Sequence, residues 1–593
     1  MTTEGSWSTG FIESLQRDVQ PDVERSREFS FSGKTIDVAV GLPASYCKRR
    51  RSYPLLVLLN GEKYERGAID IARLMADAGE VKECIVLSVV IAEHDLAAAL
   101  GNAASKGDGD FLRFVELALL PWCLQRYRVK PDNFALFGHG VAGALVLQAY
   151  QQGLSGIADF VVVSPALSLI PEVARELSDA GAGRADGNRI ERRLRLAMGS
   201  LERQCKRSRE SGASQTSWLY QQVSSGCGRQ LDIDYRELAG ANFSSSAMAM
   251  LSHFLLHDWS SGKVYGVQAP FLAKPWVNRL AALTRPLARK VSGWGCVNEA
   301  QATGAIVYCA SLEREFELTV SLPASAVESG RRYPMLLVLD GNYAFHLAAE
   351  AAREFSSAGV SDEMIVVGLG VPRREGALAF ALRRLQEFAP PAPEYTFSDP
   401  LGRILSSLFS VAGLDIRDYP PSADTYYRFI VEEVLPALTA ALPIDGDQLA
   451  LFGHSAGGTF TAFALEQADS PFSCYAMSSP GLGISDSVLL KPSNFVGCGK
   501  RRVKALVSIG SEEYENYFNR AAGIHKSEDF ARRLQSSGRV ECKFMELNLE
   551  THSSVVPRAL QQAMMYFFPA NAIPSGGRGA SSDVPVASVG LPL

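Results

Sequence analysis

Short apolar runs alternate with helix-like stretches along both halves of the chain. In the first half, runs rich in Val, Ile and Leu cover 55–59, 84–90, 133–137 and 159–164, and each has a partner in the second half. Strands that are apolar throughout and lie between helices are typical of a parallel sheet covered on both faces. The pattern therefore predicts an α/β fold with an antiparallel lead-in at 28–42 and again at 306–322.

An internal repeat links the two halves. Leu42-Pro43-Ala44-Ser45 returns as Leu322-Pro323-Ala324-Ser325 and Tyr53-Pro54 as Tyr333-Pro334, both 280 residues later. Leu120-Pro121 returns as Leu435-Pro436 and Ser164-Pro165 as Ser479-Pro480, both 315 residues later. The increase from 280 to 315 indicates one insertion of 35 residues in the second copy, within about 374–426. Such Pro-rich, aromatic insertions are commonly lids or pocket walls, and the alternative is a solvated surface excursion.

The second copy carries a G-x-S-x-G motif that the first copy lacks. Gly453-His454-Ser455-Ala456-Gly457 follows an apolar run and precedes a small-residue helical pattern, which is the context of a nucleophile elbow. The first copy reads Gly138-His139-Gly140-Val141-Ala142 in the same context. Ser455 is the predicted nucleophile, and the backbone N–H of Ala456 is a predicted oxyanion donor.

A serine hydroxyl is a weak nucleophile, so it needs an imidazole base and a carboxylate that orients the imidazole. In the order expected for this kind of site, the acid precedes the histidine along the chain. His552 follows the last strand-like run and is the predicted base; the alternative is a surface loop histidine. Glu513 follows a strand that ends in Gly510 and is the predicted acid, with Glu512 in reserve; the alternative is an acidic helix start.

The loop after the 336–339 strand should supply the second oxyanion donor, from the backbone of Asn342 or Tyr343. In the first copy, Gly140 replaces the serine and Phe243 aligns with His552, while Glu202 still aligns with Glu513. The first copy is therefore predicted to be a pseudoenzyme that braces the second domain, dimerises, walls its pocket or binds a ligand in a vestigial cleft.

These motifs in this order resemble the putative esterase (esterase D-like) family of α/β-hydrolases, which includes enterobactin-type siderophore esterases. The resemblance spans most of 306–569 and, in degraded form, about 28–258. It implies hydrolysis of an ester or thioester, or acyl transfer, through an acyl-serine. Siderophore-type members usually carry a basic and acidic cluster after the second central strand, and this chain departs from that pattern with Val371-Pro372-Arg373-Arg374-Glu375-Gly376. Arg373 and Arg374 are candidates to hold an anionic substrate; the alternative is that they are surface arginines.

Composition excludes several other classes. The 593 residues carry 59 basic and 64 acidic side chains, a formal charge of −5, so bulk charge predicts neither nucleic-acid nor anionic-membrane binding. No signal-like segment and no apolar run of about 20 residues occurs, so a cytoplasmic location is expected. The ten cysteines form no C-x-x-C pair, and no H-E-x-x-H or P-loop is present, so no metal and no cofactor are predicted.

The sequence thus predicts two tandem α/β-hydrolase domains, each with a mostly parallel central sheet and helices on both faces. Their predicted limits are 21–258 for the degenerate domain, 259–304 for a connector, 305–569 for the catalytic domain and 570–593 for a disordered tail. The predicted function is a serine esterase acting on a small-molecule ester, with homodimerisation through the degenerate domain as one option. The alternatives are an acyltransferase with the same triad and a non-catalytic tandem binding or scaffold protein.

Overall fold

The computed structural model describes most of both halves of the chain. The described residues are 23–31, 33–46, 51–101, 111–179, 192–204, 206–226, 232–261, 302–327, 330–372, 375–391, 415–483, 503–514 and 517–570. The predicted tail, most of the predicted connector, the middle of the predicted insertion and both Arg373 and Arg374 lie outside these ranges.

Two eight-stranded sheets form, one in each half. The first contains β1 (Val23–Phe31), β2 (Lys34–Gly41), β3 (Tyr53–Leu59), β4 (Ile85–Val90), β5 (Val129–His139), β6 (Ile157–Val163), β7 (Arg193–Gly199) and β8 (Asp232–Leu238). The second contains β9 (Ala302–Cys309), β10 (Arg314–Ser321), β11 (Tyr333–Leu339), β12 (Ile365–Gly370), β13 (Ile444–His454), β14 (Cys474–Ser478), β15 (Val503–Gly510) and β16 (Val540–Leu547).

The two sheets have the same topology. The strand order is β1-β2-β4-β3-β5-β6-β7-β8 in the first and β9-β10-β12-β11-β13-β14-β15-β16 in the second. The first two strands of each sheet pair antiparallel, and the six that follow them in the chain pair parallel to one another. The predicted fold class, two mostly parallel sheets with helices, is confirmed.

Helices connect the strands in both halves. In the first half they are α1 (Glu65–Asp77), α2 (Glu93–Gly101), α3 (Phe111–Phe114), α4 (Leu120–Arg126), α5 (Val141–Gln152), α6 (Pro171–Asp179), α7 (Lys206–Glu210), α8 (Thr216–Gly226) and α9 (Phe243–Asp258). In the second half they are α10 (Gly341–Ser357), α11 (Gly376–Glu387), α12 (Ala423–Arg428), α13 (Leu435–Ala441), α14 (Ala456–Glu466), α15 (Tyr517–Ala521), α16 (Ser527–Ser536) and α17 (Val555–Phe567). None of the described helices is long and apolar enough to cross a membrane.

The central strands are buried because both of their faces are covered. Every residue of β3 and of β11 is buried, which matches the continuous apolar pattern of these segments. One hydrophobic core cluster extends from the first half into the second, where α1 and α9 pack against α10 and α17. The two sheets are therefore joined through a shared apolar layer.

Candidate active site

The elbow stands between β13 and α14. Ser455 has φ 58° and ψ −119°, a backbone conformation that a residue with a side chain rarely adopts. Its N–H donates to the Ser478 carbonyl oxygen at 2.8 Å, which fixes the turn to the neighbouring strand. The backbone of Gly457 packs so close to Gly453 that only glycine fits there, because a Cβ on Gly453 would lie 2.1 Å from the Gly457 carbonyl oxygen. The turn thus presents the Ser455 hydroxyl at the carboxyl end of the sheet.

Three side chains meet in a line at this turn. His552 Nε2 lies 2.9 Å from Ser455 Oγ, and His552 Nδ1 lies 2.6 Å from Glu513 Oε2. Glu513 is 1% exposed, whereas Glu512 is exposed. The arrangement has the hydroxyl, imidazole and carboxylate order of a serine hydrolase site.

The Glu513 carboxylate is oriented by two further donors. Ser479 Oγ donates to Glu513 Oε1 at 2.6 Å, and the Gly510 N–H donates to the same oxygen at 2.8 Å. The remaining oxygen, Oε2, therefore faces His552. Ser479 was not among the predicted site residues, but its repetition as Ser164 was a signal in the sequence.

The loop 550–554 holds His552 between β16 and α17. Ser554 Oγ donates to Glu550 Oε2 at 2.6 Å, and the Thr551 N–H donates to Ser554 Oγ at 2.8 Å. Arg558 Nη1 donates to Glu550 Oε1 at 3.0 Å. Burial raises the pKa of Glu550, which Arg558 opposes. His552 therefore lies on a loop that is held by its own buried network of hydrogen bonds.

A second residue that the sequence did not suggest is Arg384 on α11. Its Nε lies 3.0 Å from both carboxylate oxygens of Asp340, and its Nη2 lies 3.2 Å from the His454 carbonyl oxygen. Burial raises the pKa of Asp340, and the Arg384 charge lowers it. Arg384 therefore connects the loop after β11 to the elbow.

Both predicted oxyanion donors stand at helix N-termini, where backbone N–H groups point out of the helix. Ala456 is the first residue of α14, and Asn342 is the second residue of α10. The N–H of Tyr343 donates to the Asp340 carbonyl oxygen at 2.8 Å. Of the two residues predicted in that loop, Tyr343 therefore has its N–H engaged within the turn.

Histidines other than His552 have different partners. His454 Nδ1 lies 3.1 Å from Ser478 Oγ. Burial and the nearby His552 lower the pKa of His454 well below its usual value. His346 Nδ1 lies 2.8 Å from Asp70 of the first half.

The equivalent place in the first half keeps the frame without the reacting groups. Gly140 has φ 62° and ψ −120°, the same backbone as Ser455. The Phe243 ring centroid lies 4.3 Å from that of His139, as the His552 ring lies 4.6 Å from that of His454. Glu202 accepts hydrogen bonds from Ser164 Oγ at 2.7 Å and the Gly199 N–H at 2.6 Å. The Phe243 ring therefore occupies the place that His552 has in the second half, and Glu202 is held by buried hydrogen bonds.

Comparisons with known proteins agree with this frame. Residues 30–173 match the family model described as "Putative esterase". The resemblance to the putative esterase family is confirmed. The match falls in the copy that lacks the serine, so the strand and helix framework carries it.

Three curated esterases are related to the chain. The ferri-bacillibactin esterase BesA of Bacillus subtilis is 24% identical over 43% of this chain and 84% of its own length. The siderophore triacetylfusarinine C esterase of Aspergillus fumigatus is 27% identical over 40% of this chain and 81% of its own. The siderophore enterobactin esterase of Emericella nidulans is 27% identical over 42% and 88%. The predicted enzyme class, an esterase, is confirmed by these matches.

Among solved structures, the BES protein from Bacillus cereus aligns with 47% of this chain and 99% of its own, at 23% identity and a TM-score of 0.38.

Proposed function

We propose that the second half hydrolyses a carboxylic ester or thioester through an acyl-serine intermediate. The observation that carries this proposal is the pair of contacts that join Ser455 Oγ to His552 at 2.9 Å and His552 to Glu513 at 2.6 Å. A hydroxyl within hydrogen-bond reach of an imidazole, whose other nitrogen meets a buried carboxylate, is the geometry that activates a serine.

Each residue has one role in the proposed reaction. His552 Nε2 takes the Ser455 proton as Oγ bonds to the ester carbonyl carbon, and it then returns that proton to the leaving alcohol or thiol. Glu513 holds the Nδ1–H, so that Nε2 is the nitrogen free to accept. The Ala456 and Asn342 N–H groups donate hydrogen bonds to the carbonyl oxygen and stabilise the negative charge that develops on it. A water molecule, deprotonated by His552, then attacks the acyl carbon, and the bond to Ser455 Oγ breaks as His552 returns the proton to that oxygen, which releases the carboxylic acid.

The substrate class proposed is a siderophore-type or other secondary-metabolite ester. Its support is the relationship to three esterases whose names specify siderophores, at 24–27% identity. Arg373 and Arg374 are proposed to bind an anionic part of such a substrate. The test measures hydrolysis of a siderophore trilactone, an aryl ester and an acyl thioester. It compares the wild type with the double variant Arg373→Ala and Arg374→Ala. We expect the double variant to lose hydrolysis of an anionic substrate and to keep hydrolysis of an uncharged one.

Labelling with a fluorophosphonate probe tests the nucleophile. We expect wild-type protein to be labelled at Ser455, and Ser455→Ala to lose both labelling and ester turnover. The matched control is Glu202→Ala, which removes the equivalent of Glu513 in the first half and leaves turnover near wild type. Equal losses in the two variants, or turnover that survives Ser455→Ala, would contradict the proposal.

A further inference from the structure

One acidic residue of the degenerate half reaches into the loop that carries His552. Glu80 lies in the turn between α1 and β4, and its side chain is buried, with 8% exposure. Thr551 Oγ1 donates to Glu80 Oε2 at 3.0 Å. Ser553, which follows His552, lies near Glu80 and lowers its pKa. The loop that carries His552 is therefore attached to the other half of the molecule through Thr551.

Other contacts of the first half reach the same region. Arg558, which holds Glu550 of the loop, also donates through Nη2 to the Ala239 carbonyl oxygen. Gln562 Nε2 donates to the Gly240 carbonyl oxygen at 3.3 Å. The loop 550–554 thus contacts the first half through Glu80, and the helix that follows the loop, α17, contacts it through the 239–240 turn.

The contact from Glu80 has no counterpart on the other side. Gly79 and Gly359 occupy equivalent positions 280 residues apart, and both have positive φ, so Val360 is the equivalent of Glu80. Val360 packs against the apolar core. Among the described residues, Glu80 is thus a carboxylate that contacts the loop of His552, whereas its equivalent Val360 is apolar.

The electrostatics of Glu80 favour the same assignment. Burial raises the pKa of Glu80 to about 7, and the hydrogen bond from Thr551 and the charge of His552 lower it. The carboxylate of Glu80 is thus stabilised by the hydrogen bond from Thr551, which precedes His552 in the loop.

We propose that Glu80 of the degenerate half is a positioning residue for the esterase site, which holds the loop around His552 through Thr551. This gives the degenerate half a role in the reaction although it lacks a nucleophile and a base. The inference rests on the proposed function of Ser455, His552 and Glu513. A displacement of about 1 Å in a reacting group can cost about a hundredfold in rate, so a loop anchor affects turnover strongly.

The test compares Glu80→Ala, Glu80→Gln and Asp70→Asn in the full chain. Asp70 is the matched control, because it is also a buried acid of the first half that contacts the second half, through His346. We expect Glu80→Ala to lower kcat about tenfold with KM unchanged, and to slow fluorophosphonate labelling equally. Glu80→Gln keeps an acceptor for Thr551 and should recover part of the loss. Asp70→Asn should leave kcat and the labelling rate unchanged.

The outcomes separate this inference from the proposed function. If Glu80→Ala and Glu80→Gln both retain wild-type kcat and labelling while Ser455→Ala is inactive, the positioning role is wrong and the esterase mechanism stands. If the kcat of Glu80→Ala falls only in proportion to its loss of Tm, Glu80 is an interface residue alone. Should Glu80→Ala fail to fold, the isosteric Glu80→Gln decides through the same comparison of kcat with KM.

Discussion

The candidate site of the second half differs at two positions from the equivalent place in the first half. Ser455 and Gly140 differ by only a few degrees in φ and ψ, and His552 and Phe243 put their rings against equivalent histidines. The chemistry can therefore be absent while the turn, the strands and the helix remain. At Gly140 the strained backbone has a lower cost, because glycine adopts positive φ freely.

Restoring both side chains should restore a reactive serine in the first half. A Cβ on Gly140 would lie 3.1 Å from Phe243 Cζ, so a serine alone meets the ring and finds no base. In a Ser455→Ala background, we expect Gly140→Ser combined with Phe243→His to regain fluorophosphonate labelling, because Glu202 is already in place. Neither single change should do so. Labelling by Gly140→Ser alone would show that Phe243 does not block the site.

Removing the charge of Glu513 should reduce turnover without unfolding the protein. Glu513→Gln can donate a hydrogen bond to His552 Nδ1 and so favours the wrong tautomer. We expect kcat to fall by about 10⁴-fold with little change in KM. Glu512→Gln is the control, since Glu512 is exposed and should retain full kcat. The reverse ranking of the two variants would assign the acid role to Glu512.

At the scale of elements, the sequence predicted what local pattern and chain order determine. The apolar runs gave the strands, and the repeat aligned Glu202 with Glu513 and Phe243 with His552, which the structure places in equivalent positions. Arg384 and Glu80 could not be found in this way. Their partners lie far along the chain at no fixed spacing, so only the packing of α11 and of the two halves reveals them.

The helix after the elbow ends in a poorly compensated acid. Glu466 closes α14, and its Oε1 is a buried atom that has no hydrogen-bond partner among the described residues. Burial raises the pKa of Glu466 to about 8. The folded state therefore binds a proton more tightly than the unfolded state, and stability is lost as pH rises from about 4.5 through about 8.

Glu466→Gln should remove that pH dependence. We expect the variant to have a higher Tm than wild type at pH 8.5 and nearly the same Tm at pH 5, as measured by calorimetry. A negative charge at a helix C-terminus also opposes the helix dipole, which acts in the same direction. Glu432→Gln, which changes an exposed acid of the second half, is the control. A Tm difference that is independent of pH would contradict the raised pKa.

At the scale of the whole molecule, the two halves pack about an approximate two-fold axis. Asp70 accepts from His346, and Glu350, the equivalent of Asp70, accepts from the N–H groups of Arg66 and Gly67 at 2.8 Å. Arg66 is itself the equivalent of His346, since both pairs differ by 280. This pair of contacts is thus reciprocal, as at the interface of a symmetric dimer.

Close approach at this axis explains a glycine inside α1. Gly67 and Leu347 occupy equivalent positions, and a Cβ on Gly67 would lie 2.6 Å from Glu350 Oε2 and 3.1 Å from Leu347 Cδ2. We expect Gly67→Ala to lower stability by about 1–3 kcal/mol, although alanine is the better helix former. Combining it with Leu347→Ala should give less than the sum of the two single losses. Simple additivity in denaturant titrations would place the two residues out of contact.

Because the paired halves belong to one polypeptide, they stay in fixed one-to-one proportion however dilute the protein becomes. A pair of separate identical subunits would dissociate at low concentration, and it would have to place the same residue on both sides of its axis. The tandem arrangement escapes both constraints. It allows leucine to face glycine at one position, and a carboxylate to serve one loop while valine stands at the matching place.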